Sequence, residues 1–375
     1  MKRLVLCGGG HSHLEVLRRF GLAREPRVEL VLVSPNRWTP YSGMLPGLVA
    51  GHYAFEDVHI DLERLARFAR ARFLPTVIAR LEPDSRIVTL GDGGRLEFDI
   101  ASLDIGSTPA SAGVPGASEH AVGVKPVEVF LREWARALER ARTGTLQRGV
   151  VVGGGAAGLE LVLAMQHRFA RETGRRDAVD WHLLTDVDAL LPMHNARVRA
   201  IFRRLLAERE IEVHLASPVV QVEPGVAFAA GGFRVRGDLI VWATGAAASP
   251  RLAAAGLAVD ERGFVAVDAT LRSVSHPHVF AAGDCATMVG HPRPKSGVYA
   301  VRQGPPLAAN LRAAASGRPL EAYTPQARAL SLISAGDRYA VASRGGWAFE
   351  GGWVWRWKDR IDRRFVRRYA DLPAG

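Results

Sequence analysis

One pattern occurs twice in this chain and limits its folding more than any other feature. It is a short apolar strand, a glycine turn, an amphipathic helix and a second apolar strand. In the first copy Arg3 to Cys7 is the strand and Gly8-Gly9-Gly10 the turn. Leu14, Val16, Leu17 and Phe20 then recur at helical spacing, and Val28 to Val33 is the next strand. The second copy runs from Val150-Val151-Val152 through Gly153-Gly154-Gly155-Ala156-Ala157-Gly158 to a helix over Leu159 to Phe169 and a strand over Trp181 to Leu184. Strands this rich in valine and leucine suit parallel sheets covered on both faces. A glycine turn that opens a helix lets the backbone approach a pyrophosphate at the positive helix N-terminus. Two such units, about 145 residues apart, predict an internal duplication and two nucleotide sites.

The two turns are not equal. Gly153-x-Gly155-x-x-Gly158 keeps all three glycines, whereas Gly8-x-Gly10-x-x-His13 has lost the third, which lets helix pack against strand. The acid expected about twenty residues on, for the adenosine ribose, is Ser34 in the first unit and Asp186 in the second. No arginine follows Asp186 immediately, which favours NADH over NADPH.

Between the units, Val77 to Leu96 reads as an antiparallel excursion with turns at Pro83-Asp84 and Gly91 to Gly94. Phe98 to Ile105 leads to Gly106-Ser107-Thr108-Pro109, and Asp238 to Gly245 closes the second unit in the same way. Val279 to Ala286 is a further buried strand and turn. From Tyr323 the character changes, with strand-like Leu330 to Ser334 and Tyr339 to Ser343 before a Trp- and Arg-rich stretch.

Length and charge narrow the classes. A chain of 375 residues suits two or three domains. Two cysteines, Cys7 and Cys285, exclude a disulfide scaffold and a four-cysteine zinc site. No apolar run reaches the ~18 residues of a spanning helix, and the N-terminus lacks the apolar stretch of a secretory signal, so a cytoplasmic location is expected. The net charge is +11, yet all but four of the 49 basic residues are arginine, which points to coding bias; no nucleic-acid partner is expected.

Taken with Leu103-x-x-Gly106-x-x-Pro109, Ala243-Thr244-Gly245 and Val279-Phe280-Ala281-Ala282-Gly283-Asp284, the two turns resemble the pyridine nucleotide–disulfide oxidoreductase superfamily over about residues 4–312. Within it the chain is similar to type II NADH dehydrogenase-like proteins. Gly8 to His13 with Thr39 to Gly47 resembles the flavoprotein portion fused ahead of selenophosphate synthetase in some organisms, where this chain would stop short of the kinase portion. The resemblance implies an α/β fold. Two Rossmann-like dinucleotide-binding domains of the glutathione-reductase type, one for FAD and one for NAD(P), carry a small C-terminal α+β region. The expected division is 1–115 and 251–322 for FAD, 116–250 for NAD(P)H and 323–375 for the C-terminal region.

By the same resemblance, Gly8, Gly10, Ser34, Gly106, Gly283 and Asp284 hold FAD, and Gly153, Gly155, Gly158, Asp186 and Gly245 hold NADH. Pro40, Tyr41 and Ser42 pass beside the isoalloxazine, where Tyr41 either stacks or packs as a structural tyrosine. Gln303 matches the glutamine of the helix that approaches the flavin. His11 and His13, two apart at a helix start, point to different faces, which argues against a metal there; with Ser12 they are candidates for contact with flavin or pyrophosphate. Glu160 is the candidate acid facing the nicotinamide, its alternative being a helix acid stabilised by the dipole. Lys295 is either a cation near flavin N1 or a surface lysine.

No Cys-x-x-Cys or Cys-x4-Cys occurs, so a thiol relay is excluded. The expected activity is hydride transfer from NADH to FAD, with electrons passed to a quinone-like acceptor. One alternative is a soluble flavin reductase for a selenium or sulfur compound or a small protein carrier. Another is a non-enzymatic nucleotide-binding module with a decayed first site, motivated by His13 and Ser34. In the tail, Trp353, Trp357, Ile361, Phe365 and Tyr369 form an i, i+4 stripe among arginines. Such a helix either lies on the inner face of the cell membrane or packs on the body or on a second copy in a homodimer.

Overall fold

In the computed structural model, which describes residues 1–111 and 113–373, each repeat builds its own five-stranded parallel sheet. The first has the order Val279–Ala281, Ile100–Leu103, Lys2–Cys7, Val28–Val33, Arg72–Leu74. The second has Val122–Gly123, Leu239–Trp242, Arg148–Val152, Asp180–Leu184, Glu212–His214. In both, the strand that opens the repeat lies in the middle, so Leu4 to Cys7 and Val150 to Val152 are buried on both faces. Each glycine turn therefore sits at the carboxyl end of a central strand, where strand order reverses. Open α/β sheets bind ligands at that point.

Each sheet also carries a three-stranded antiparallel meander. The first, Ile78–Glu82, Ile87–Leu90 and Arg95–Glu97, is the expected excursion. The second, Val219–Glu223, Val226–Ala229 and Arg234–Arg236, was not anticipated. Its register slips between Val219 and Gln221, as the first meander's does between Ile78 and Arg80. The chain crosses between the two halves through a short antiparallel pair, Thr108–Pro109 with Ala246–Ala247. It then returns to complete the first sheet with Val279–Ala281.

The C-terminal residues form an antiparallel sheet of Ser331–Ser334, Ala340–Arg344 and Trp347–Gly351, followed by the Gly352–Ala370 helix. The third strand, Trp347–Gly351, lies beyond the two strand-like stretches expected from sequence. This region ties the halves together. Phe365, Val366 and Tyr369 join the core around the first sheet, whereas Ile333, Val341 and Ala348 join the core around the second. A side chain buried so fully contributes about 2 kcal/mol.

The expected i, i+4 stripe does not stay on one face. Four residues advance an α-helix by more than one turn, so the line of residues drifts around the axis. Trp353, Trp357 and Ile361 are 50%, 40% and 41% exposed, while Phe365 and Tyr369 are buried. The buried face is Val354, Lys358, Asp362, Phe365, Val366 and Tyr369. Among the described residues, no helix is long and apolar enough to cross a membrane.

Candidate functional site

The first glycine turn opens onto a cavity of about 700 Å³. Gly8 lies at φ +98°, and a Cβ there would come within 2.4 Å of the Asp104 carbonyl oxygen. A Cβ on Gly10 or Gly283 would meet the Asp104 carboxylate at 2.3 or 2.4 Å. Asp104 is thus wedged between two glycines, and the three segments meet only because neither glycine carries a side chain. Its carboxylate accepts hydrogen bonds from the backbone N–H groups of Ser12 (2.7 Å) and His13 (3.1 Å), capping the His11–Leu22 helix from across the cleft. Burial pushes the Asp104 carboxyl up to about 7; the His13 and Ser12 N–H bonds oppose that rise.

His13 answers how the first turn survives without its third glycine. In the second unit a Cβ on Gly158 would lie 1.9 Å from the Gly153 carbonyl oxygen, so helix and strand touch. In the first, the buried His13 imidazole fills the gap. Nδ1 lies 2.6 Å from the Gly8 carbonyl and Nε2 2.9 Å from Ser102 Oγ. A carbonyl only accepts, so the network assigns the proton to Nδ1 and leaves Nε2 to accept from the serine hydroxyl. Burial lowers His13 to about 4, and the ring stays neutral near pH 7. His13 is a structural bridge and does not line the cavity.

Of the expected FAD residues, Gly8, Gly10, His11, Ser34, Pro40, Ser42, Gly106 and Asp284 line the cavity. His11 Nε2 is buried without a hydrogen-bond partner among the described residues, and burial lowers this imidazole to about 4. Two residues that sequence reasoning missed stand beside it. Lys125 Nζ lies 3.0 Å from Asp284 Oδ2 and 2.9 Å from Ser107 Oγ, and it lines the same cavity with Asp104. Lys125 could have been found as one of only four lysines, and Asp104 as a lone acid ending an apolar run before Gly106.

Other expected residues lie off the cavity wall. Ser12 is wholly buried; its hydroxyl donates to the Ala300 carbonyl. Tyr41 turns away from the cavity and stacks on Phe365 at 4.2 Å between ring centroids, the structural alternative. Gln303 accepts the Gly283 N–H at 2.7 Å, shaping the turn before Asp284 without reaching the cavity wall. Lys295 does not line the cavity either. Its ammonium donates to the Ala286 carbonyl and to Thr287 Oγ1, and stands 3.9 Å over the Phe264 ring. Burial lowers it to about 8. The cation paired with the Asp284 carboxylate is Lys125.

At the second turn Gly153 lies at φ +129°, against the Ala243 carbonyl. Gly155 and Gly245 have open space where a Cβ would point. The Ala156–Thr173 helix begins without a side-chain cap, Thr244 Oγ1 is buried without a partner, and Asp186 is exposed just beyond the Asp180–Leu184 strand. Glu160 lies in the second turn of that helix rather than the first. Its carboxylate accepts the Ser334 N–H at 2.7 Å and faces Lys358 of the C-terminal helix. Burial raises its pKa, with Lys358 opposing. Lys358 in turn donates to Asp362 at 2.6 Å and to the Gly43 carbonyl, beside Ser42 of the cavity wall. Glu160, Lys358 and Asp362 therefore join the second glycine helix to the first cavity.

Cys7 and Cys285 are both buried and unpaired, and burial pushes each thiol up to about 12. Neither is a thiolate near neutral pH. The first cavity fits FAD: glycines where a backbone must approach, an unpartnered buried imidazole nitrogen, and an ion-paired carboxylate at its inner end. The uncapped helix start and free Thr244 hydroxyl at the second turn fit a second dinucleotide.

Comparisons with known proteins place this geometry. A type II NADH:quinone oxidoreductase of Haemophilus influenzae is 24% identical over 86% of this chain and 83% of its own. The mitochondrial external alternative NAD(P)H-ubiquinone oxidoreductase B3 of Arabidopsis thaliana is 24% identical over 76% of this chain, which spans only 55% of the plant protein. Among solved structures, the sulfide:quinone oxidoreductase of Aquifex aeolicus superposes with a TM-score of 0.82 at 19% identity, covering 99% of this chain and 92% of that one. The family model described as pyridine nucleotide-disulphide oxidoreductase matches residues 2–304. The chain belongs to that family.

Proposed function

We propose that this chain is an FAD-dependent NADH oxidoreductase that passes electrons to a quinone-like acceptor without a thiol relay. The observation that carries the reading is the pairing of two glycine turns on equivalent sheets with no reactive cysteine between them. The names of the Haemophilus and Arabidopsis relatives support it. FAD, when bound, supplies the carrier that takes hydride from the nicotinamide and hands electrons onward. Gly8, Gly10 and Ser34 would hold its adenosine half, and Pro40, Ser42, Lys125 and Asp284 its flavin half. The Lys125–Asp284 pair fixes that carboxylate. Gly153, Gly155, Gly158 and Asp186 would hold NADH. Glu160, whose burial favours the protonated carboxyl, is placed to hold a proton where the nicotinamide side meets the C-terminal helix.

The test is an anaerobic spectral titration of the yellow protein. NADH should bleach the flavin, and a soluble quinone analogue should restore the colour. Gly158→Val should retain flavin while NADH reduction falls by about a hundredfold, because a side chain there strikes the Gly153 carbonyl. A flavoprotein that NADH leaves oxidised would sink the reading.

We further propose that the exposed aromatic face of the C-terminal region rests on an anionic membrane surface. Trp347, Phe349, Trp353 and Trp357 form a continuous run of rings 5.9–6.5 Å apart, extended by exposed Ile361. Exposed Arg356, Arg360 and Arg364 stand on the same helix. Aromatic rings at headgroup depth with cations beside them suit anionic lipid. Cosedimentation with vesicles containing anionic lipid should fall about tenfold or more in Trp353→Ser/Trp357→Ser. Unchanged vesicle binding, or a concentration-dependent dimer lost in that variant, would instead assign the patch elsewhere.

A further inference from the structure

At the far edge of the second sheet three side chains converge that the redox chemistry does not use. His182 stands on Asp180–Leu184, and Glu212 and His214 on the adjacent edge strand Glu212–His214. The strands pair in parallel register, His182 with Glu212 and Leu184 with His214, so the three side chains project to one face. His182 Nδ1 lies 3.1 Å from His214 Nε2 and 3.3 Å from Glu212 Oε2; His214 Nε2 lies 3.7 Å from Glu212 Oε1. We infer that His182, Glu212 and His214 form a binding site for a divalent transition-metal cation, zinc being the best match.

Two arguments carry this. Ligands about 2.0–2.1 Å from a tetrahedral zinc stand about 3.3–3.4 Å apart, close to the 3.1 Å between the two imidazole nitrogens and the 3.3 Å from His182 to Glu212 Oε2, while His214 faces the other carboxylate oxygen at 3.7 Å. The cluster's chemistry also suits a cation. Two neutral imidazoles facing each other through one nitrogen each hold one N–H and one lone pair between them, and a tautomer shift of one ring would turn both lone pairs, with the Glu212 carboxylate, toward a shared ion. Both imidazoles are largely enclosed, at 13% and 12% side-chain exposure, and the His214 ring packs 4.8 Å from Phe233. Glu212 is 64% exposed, so its carboxylate provides the solvent path. Two imidazoles and a carboxylate form a known zinc ligand set, with a water completing the fourth position. A bound ion would fasten the edge strand to the strand that leads to Asp186, and Phe233 of the second meander would cover it.

The experiment uses untagged, flavin-loaded protein treated with a chelator and then dialysed against zinc. It should retain about one ion per chain, and its melting temperature should rise on zinc addition. Cobalt in place of zinc should give the intense visible bands of a four-coordinate site. His182→Gln and His214→Gln should each weaken zinc binding by more than the roughly 10–100-fold seen when an outer partner is lost. Glu212→Ala, at an exposed position, should do so without unfolding the protein, and the flavin spectrum should stay unchanged in all three. No retained zinc in the parent protein, or equal retention in the parent and the His182→Gln/His214→Gln double variant, would overturn the assignment.

Discussion

Replacing Lys358 with methionine should lower the unfolding free energy by about 3–5 kcal/mol, the usual cost of leaving one partner of a buried ion pair alone. Lys358 and Asp362 are each 7% exposed and stand 2.6 Å apart, one turn apart on the C-terminal helix. The same ammonium holds the Gly43 carbonyl and faces Glu160. Removing it leaves the buried Asp362 carboxylate with only the Tyr41 hydroxyl and takes the ammonium from the Gly43 carbonyl. Burial already raises the Asp362 pKa, with Lys358 opposing, so the variant should bind a proton there on folding. Lys358→Met/Asp362→Leu should recover most of the loss, because two apolar side chains leave no charge to desolvate. Urea unfolding of the two proteins decides the matter. A single variant within about 1 kcal/mol of the parent would show that the pair is hydrated in solution.

The contrast between Lys358 and Lys125 shows where sequence reading stops. Asp284 came from the family resemblance, and both glycine turns and the partition into two parallel sheets were legible because each rests on a local pattern with a fixed spacing. Lys125 was not: it reaches Asp284 across 159 positions, through the meeting of the two halves. Lys295, nearer in sequence, looked the better candidate and instead satisfies itself on Ala286, Thr287 and the Phe264 ring. Lys358 sat among arginines that read as a solvated face. The signal was present, since Lys358 and Asp362 lie in line with Val354 and Val366 at the spacing of one helix face. A charged pair inside an apolar line marks a buried bridge more directly than the aromatic stripe marked a membrane face. The loss of glycine at His13 was legible as an oddity, but its resolution needs Ser102, which only the fold brings within 2.9 Å.

Asp104→Asn should stabilise flavin-depleted protein at alkaline pH and leave it nearly unchanged in mild acid. Asp104 is wholly enclosed, and its carboxyl rises from 3.8 to about 7, with burial as the first cause and the neighbouring Asp284 adding to it. A raised carboxyl means that the folded protein holds a proton the unfolded chain has released. Stability therefore falls as pH climbs from about 4 to about 7, by about 4 kcal/mol in total, and is flat above that. His11 and His13, both lowered to about 4, act in the opposite sense: they destabilise the fold as pH drops below about 6.5. The parent curve alone mixes these contributions, but the difference between parent and Asp104→Asn isolates the carboxyl. The gap should open between pH 4 and pH 7 and then hold constant. The asparagine keeps an oxygen for the Ser12 and His13 N–H groups at the helix start, so the cap is not what changes. A gap that closes as pH rises, or none at all, would mean that Asp104 is ionised in the folded protein and that the helix N-terminus outweighs its burial.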